Sequence, residues 1–231
     1  MNTAVLIGQG PEVTALLARA DRLPKGLILF ETNLSRVRKH VRFPLVNLFN
    51  TTSAPTMLAA QEVSRVVAVG TLRPANPRVK GAEIEQLKRL LREITIAKNA
   101  NDGTRIYIHS LLRPKLKFPA VRSVLPFLFA RKTVGINPKP DLLAKTLQQH
   151  GRSGGCHTVT VSEESIGIFR SRAGEPSTLF NCCLFPEKLE QLHRNKSVKV
   201  FFFDRRCTIL VEYKRMAVYA RKNKLTLQSF N

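Results

Sequence analysis

The residues best equipped to hold a metal or attack a substrate are the five histidines, His40, His109, His150, His157 and His193, and the four cysteines, Cys156, Cys182, Cys183 and Cys207. Zinc sites take thiolates and imidazoles at short paired spacing such as Cys-x-x-Cys, and no such pair occurs. Only His150, Cys156 and His157 lie close together, beside a glycine-rich stretch. The adjacent Cys182 and Cys183 on a strand would point to opposite faces, one into a core and one to the surface. A serine hydrolase of the elbow type would show Gly-x-Ser-x-Gly, and none is present. A metal-dependent nuclease needs clustered carboxylates; Glu83 with Glu85 and Glu163 with Glu164 come nearest, and both read more simply as solvated or helix-capping charges. No Walker-type phosphate loop occurs. Nothing here amounts to a complete catalytic set, so the reading leans away from an enzyme, and no metal or cofactor is called for by these residues.

The stronger chemistry is electrostatic. The chain carries 38 Lys plus Arg against 16 Asp plus Glu, a formal charge of +22. A fold with that much self-repulsion is suited to a polyanion that offsets it. Residues 1–70 hold 8 basic and 4 acidic groups, 71–155 hold 17 and 5, and 156–231 hold 13 and 7, so the middle of the chain is the most basic third. Six clusters stand out: Arg73, Arg78 and Lys80; Arg113, Lys115 and Lys117; Arg131 and Lys132; Arg205 and Arg206; Lys214 and Arg215; and Arg221, Lys222 and Lys224. Each phosphate that such a group contacts releases counterions, so the clusters add to one polyelectrolyte affinity. Membrane is the weaker partner, since no run approaches the roughly 18 apolar residues that a spanning helix requires. The expectation is no membrane insertion.

These groups need a body to position them. With 231 residues, 43% hydrophobic, the chain has material for one large domain or two small ones. Residues 4–7 and 27–30 read as buried strands around a helix that follows Gly8-Gln9-Gly10-Pro11, with a basic helix capped at Asn33 or Ser35 after them, a β-α-β-α opening. A helix running into a strand over 56–69, a proline-broken basic loop at 73–80, and an amphipathic helix with Ile84, Leu87, Leu90, Leu91 and Ile94 on one stripe come next. Arg105–Ile108 alternates like a strand, 112–119 reads as an extended basic connector, and helices are expected at about 120–131 and 140–149. Gly151 to Gly155 mark a boundary between a basic α/β domain, 1–150, and a smaller antiparallel, β-rich α+β part, 156–220. That part is a meander, a short helix from Pro186, and a hairpin made of Val198–Phe203 and Cys207–Tyr213 around the turn Asp204-Arg205-Arg206. Phe201-Phe202-Phe203 and Tyr213 on this hairpin would either offer a face for base stacking or fill its core, and core filling is the simpler reading. Residues 221–231 read as a basic, polar tail that orders only on binding.

Val5-Leu6-Ile7-Gly8-Gln9-Gly10-Pro11 ahead of a helix, with Glu31 closing the next strand, resembles the opening of class I S-adenosylmethionine-dependent methyltransferases over about 40 residues. The resemblance implies that Gly8 and Gly10 let the backbone approach S-adenosylmethionine while Glu31 binds its ribose hydroxyls. The family's third glycine falls at Glu12, its acid before the first glycine is absent, and no Asp/Asn-Pro-Pro-aromatic signature follows.

Basic groups spread over loops, helix flanks and a tail, with no helix-turn-helix, zinc finger or basic zipper, argue against sequence-specific DNA reading. Many basic loops on a compact α/β body resemble the general type of ribosomal proteins. The expectation is an RNA-binding structural component of a large ribonucleoprotein, held by phosphate and shape contacts with ribosomal RNA and neighbouring proteins. The alternatives are an RNA methyltransferase, intact or degenerate, and a viral nucleoprotein. Unpaired cysteines in a chain this long point to a reducing compartment, and the N-terminus lacks a secretory pattern, so mitochondrial matrix or cytoplasm is expected.

Overall fold

The computed structural model describes residues 1–34, 43–72, 81, 83–97, 100–112, 115–129, 135–150, 157–161, 166–170, 182–196, 198–205 and 208–230. It is a mixed α/β structure that divides into two compact units, Met1–Val124 and Leu125–Asn231.

The first unit is built on β1 (Asn2–Ile7), β2 (Leu27–Thr32), β3 (Leu45–Val46) and β4 (Val63–Val69), joined in the order β3-β2-β1-β4 with every pairing parallel. Parallel strands need crossovers, and these are α1 (Pro11–Leu17) between β1 and β2 and α2 (Ser53–Ala60) before β4. Parallel strands covered on both faces read as continuous apolar runs, and Ala4 to Ile7 of β1 and Val66 to Val69 of β4 are such runs, all buried. The β-α-β opening and the helix-to-strand reading of 56–69 therefore hold. The basic helix expected after Asn33, the loop at 73–80 and the glycine stretch at 151–155 lie outside the described residues.

Two antiparallel-packed helices follow, α3 (Glu83–Ala97) and α4 (Ala100–Leu112). α4 corrects the strand expected at Arg105–Ile108. In a strand Ile106 and Ile108 would share a face, yet Ile108 is fully buried and Ile106 is 40% exposed. The buried set is instead Thr104, Arg105, Tyr107, Ile108 and Leu112, in which residues three and four apart share the inner side as a helix demands. Gly103 makes the packing possible, because a Cβ there would lie 2.3 Å from the Ile94 Cα. Tyr107 donates its hydroxyl to the Leu48 carbonyl at 2.8 Å, and burial pushes that hydroxyl's pKa up to about 12.

Of the extended connector expected over 112–119, Leu112 closes α4 and 113–114 lie outside the described residues; the chain turns at Lys115, whose N–H donates to the Leu112 carbonyl at 3.1 Å, and then docks on the outer edge of β4. Lys117 N–H donates to the Ser64 carbonyl at 3.0 Å, and the Lys117 carbonyl accepts from Val66 N–H at 2.8 Å, forming a parallel bridge with Arg65. The helix expected over 120–131 is only one turn, α5 (Val121–Val124), followed by a 3-10 turn at Pro126–Leu128. Pro126 removes a helical donor and disfavours helical geometry at Leu125, which ends the element early.

The second unit gathers β5 (Gly135–Ile136), α6 (Pro140–His150), β6 (His157–Val161), β7 (Ile166–Arg170), β8 (Cys182–Leu184), α7 (Pro186–Lys196), β9 (Val200–Asp204), β10 (Thr208–Leu210), α8 (Tyr213–Lys222) and β11 (Thr226–Phe230). Thus β5 and α6, which precede the glycine stretch, pack with the C-terminal strands. The main sheet runs β5-β11-β9-β6-β7. β6 and β7 form the expected antiparallel pair, but β9 and β11 are parallel with α8 as their crossover, so the sheet is mixed and not an antiparallel meander throughout.

Two further expectations fail. The hairpin from Val198 to Tyr213 does not form: β9 pairs with β11 and β6, while β10 pairs in parallel with β8. All five residues of β9 are buried, so this strand needs partners on both edges and cover on both faces. Phe201 and Phe203 pack with Leu189, Leu192, Met216, Ala217 and Ala220, on the side of α7 and α8. Val200 and Phe202 pack with Phe230 and with Leu142, Leu143 and Leu147 of α6 on the other. The expected disordered tail is also absent: Thr226–Phe230 is β11, an interior strand between β5 and β9.

Candidate nucleic-acid interface

α8 begins at Tyr213 after Glu212, whose backbone is left-handed (φ 50°) and whose carboxylate accepts from Arg215 at 3.2 Å. Its inward residues are Met216, Ala217 and Ala220, with Tyr213 and Tyr219 half-buried. The remaining positions, Lys214, Arg215, Val218, Arg221 and Lys222, are exposed and wind along one side of the helix. The helix ends in a Schellman turn: Leu225 N–H donates to the Ala220 carbonyl at 2.8 Å and Lys224 N–H to that of Arg221 at 3.2 Å. Lys224 takes the left-handed position (φ 54°) that glycine usually fills, which fixes a further exposed cation just past the helix end. Buried Leu225 then leads directly into β11. Two clusters that are separate in the sequence, Lys214 with Arg215 and Arg221 with Lys222 and Lys224, are therefore one surface.

The charges on this surface are not equally available. Arg215 is bound at 2.9 Å to Glu187 of α7 as well as to Glu212, and both partners raise its pKa. Lys214, Arg221, Lys222 and Lys224 form no ion pair with a described acid. Arg221 and Lys222 also sit in the last turn, where cations complement the carbonyl end of the helix.

A second basic set lies on the first unit. The bridge that docks the connector places Lys117 beside Arg65, both exposed, with exposed Lys115 two residues away. Arg65 is missed by reading clusters along the chain, because the cation beside it in space comes from a segment 52 positions later. Arg205 is half-buried where β9 ends, its N–H donating to the Phe230 carbonyl at 3.0 Å. Arg73, Arg78, Lys80, Arg113, Arg131, Lys132 and Arg206 lie outside the described residues, and so do Cys156 and the side chains of His150 and His157.

Gly8, Gly10 and Glu31 do come together at the C-terminal edge of the parallel sheet, since Glu31 stands opposite Ile7 in register. The glycines have a packing role there. A Cβ on Gly8 would lie 2.5 Å from the Thr71 carbonyl oxygen. Gly8 N–H donates to the Val69 carbonyl at 2.8 Å, while Gln9 and Thr71 exchange hydrogen bonds of 2.9 and 2.7 Å. The ends of β1 and β4 are thus clasped. A Cβ on Gly10 would meet the Glu12 carboxylate at 2.7 Å, so a negative charge lies over the start of α1, where a phosphate would be repelled. The edge is compatible with a neutral or cationic group, and S-adenosylmethionine fits it only in part, because Gly8 and Gln9 direct their N–H groups to the β4 end.

Replacing Gly8 by Val forces the Thr71 backbone to move and is expected to cost about 2 kcal/mol, as overpacking typically does. Urea denaturation followed by far-UV circular dichroism reads this directly. A midpoint equal to that of the parent chain would show that the clasp is not tight.

No protein-family model matches this chain, and no curated protein matches it at significance. Among the described residues no helix is long and apolar enough to cross a membrane, and no three His, Cys, Asp or Glu side chains are grouped to hold a metal ion.

Proposed function

We propose that this protein is an RNA-binding structural component of a ribonucleoprotein, of ribosomal type, gripping folded RNA through its phosphates. The observation that supports this most is the exposed face of α8, where Lys214, Arg221 and Lys222, with Lys224 beyond them, have no described acid partner in a chain of charge +22. Neutralising a phosphate with such groups releases condensed counterions, so affinity comes mainly from charge and falls steeply with salt. The Arg65, Lys115 and Lys117 edge adds a second basic set on the other unit. Side chains of this kind follow a backbone and position it without reading bases, which suits recognition by shape. Val218, 64% exposed amid the cations, offers an apolar surface to a sugar or base edge.

Sedimentation from source cells tests this reading. The protein is expected in heavy fractions that collapse to light ones after ribonuclease treatment. Light migration that ignores ribonuclease would overturn it.

A second reading has its own support: the order β3-β2-β1-β4 with Glu31 opposite Ile7 is the arrangement that places a cofactor at the strand ends of methyltransferase-like folds. When bound, S-adenosylmethionine would supply an electrophilic methyl group; Glu31 would accept from its ribose hydroxyls, and Glu12 would favour its positive charge. Calorimetric binding that Glu31→Gln weakens would favour this reading over the structural one.

A further inference from the structure

From the start of β11 we infer that a second line of phosphate contacts, Lys139, Lys224 and Lys199, crosses the end of the β5-β11-β9 sheet and meets the α8 face at Lys224. The protein thereby holds two diverging backbone segments of a folded RNA. This rests on the RNA reading above and names the kind of RNA that the face takes.

Thr226 gathers the three lysines, although they come from separate segments. Its N–H donates to the Lys199 carbonyl at 2.9 Å and its hydroxyl to the Asn137 carbonyl at 3.0 Å, while the Asn137 amide donates to the Leu225 carbonyl at 3.0 Å. Lys224 stands two residues before Thr226, and Lys139, whose N–H donates to the Gln228 side chain at 2.9 Å, two residues past Asn137. All three lysines are exposed. They sit at the ends of three neighbouring strands, which lie about 4.8 Å apart, so the row is about 10 Å long. Lys139 and Lys199 belong to none of the six clusters along the chain; the fold supplies their neighbours.

α8, the crossover between parallel β9 and β11, runs back along the strands and ends at Lys222, whereas the row runs across them. The two lines of cations therefore share a corner at Lys224 and diverge from it. A single extended backbone follows one of them; a folded RNA meets both. Lys224 holds the left-handed conformation (φ 54°), strained for a residue with a side chain, and strain of this kind gathers at ligand clamps. Lys139 and Lys224 form no ion pair with a described acid, and exposed Asp141, two residues past Lys139, is paired with neither. Glu163 and Glu164, beyond the end of β6, lie outside the described residues.

Fluorescence anisotropy on the nucleic-acid-free full chain, with a labelled RNA hairpin and an oligouridine of equal length, reads this as salt is raised. The wild type should prefer the hairpin. Lys139→Gln, Lys199→Gln and Lys224→Gly together should weaken hairpin binding about tenfold or more and flatten its salt slope by about one per lysine, with a smaller loss for oligouridine. The melting temperature should hold, since all three side chains are in solvent and glycine suits the Lys224 backbone. Lys224→Gly alone should flatten the slope by about one. A control, Arg22→Gln, Lys25→Gln and Arg92→Gln, removes the same charge from exposed positions of the first unit and should cost less. Equal losses in variant and control, or an unchanged hairpin slope, would overturn the inference and leave the RNA reading standing. Equal losses for hairpin and oligouridine would overturn the two-line footprint. A wild type that binds neither RNA would overturn the RNA reading, and this inference with it.

Discussion

Ending the chain after Asn223 is expected to unfold the second unit while leaving the first folded. The deletion removes β11, which pairs with β9 from Thr226↔Val200 to Phe230↔Asp204 and with β5 on its other edge. It would leave the fully buried β9 with an unpaired edge inside the core, and buried unpaired backbone groups cost about 1–3 kcal/mol each. Buried Leu225, Leu227 and Phe230 would also disappear from the two faces of the sheet. Together these exceed the roughly 5–15 kcal/mol by which a typical domain is stable. Limited proteolysis followed by mass spectrometry should find a protected N-terminal fragment ending near Val124 and rapid digestion beyond it. Protection of the truncated chain equal to that of the full one would show that β11 is dispensable.

Reversing Lys214, Arg221 and Lys222 to Glu is expected to lower affinity for a structured RNA by about two to three orders of magnitude at low salt, because three phosphate attractions become repulsions. The folded body should survive, since all three side chains are exposed and point away from Met216, Ala217 and Ala220. Their removal from the helix end should cost about 0.3–1 kcal/mol each for Arg221 and Lys222 through the helix dipole. A matched control, Arg22, Lys25 and Lys145 to Glu, changes net charge equally at three other exposed positions. Equal losses of affinity in both variants would mean that bulk charge binds and that α8 is not a face. Fluorescence anisotropy with a labelled RNA hairpin distinguishes the two.

The first unit was largely legible in the sequence because its signals are local. Apolar runs at 4–7 and 66–69, four residues long, rich in β-branched residues and closed by glycine, read as buried strands, and a proline just inside a helix start marks α1 plainly. The second unit was less so, because its pairings are set by partners distant in the chain. Val198–Phe203 and Cys207–Tyr213 look like a hairpin to any local reading, yet the triple phenylalanine buries both faces of β9 and draws in β11 from beyond α8. Thr226-Leu227-Gln228-Ser229-Phe230 is short, half polar and preceded by Arg221, Lys222 and Lys224, so its composition resembles a tail. Its buried threonine is tolerated because the Thr226 hydroxyl donates to the Asn137 carbonyl at 3.0 Å. Arg105–Ile108 misled for a different reason: four residues are too few to separate a period of two from one of 3.6, and the glycine that permits α4 against α3 reads as a breaker. Among the candidate RNA-binding residues, clusters could be found along the chain, but the joining of two of them on α8 and the pairing of Lys117 with Arg65 required the fold.

The most direct test of RNA binding through released counterions is the affinity of the nucleic-acid-free wild type for a structured RNA, measured as salt is raised. The predicted result is a linear fall of log K with log salt, with a slope steeper than about −3 that the α8 reversal flattens by about one for each phosphate no longer neutralised. A flat dependence, or no binding at low salt, would contradict it.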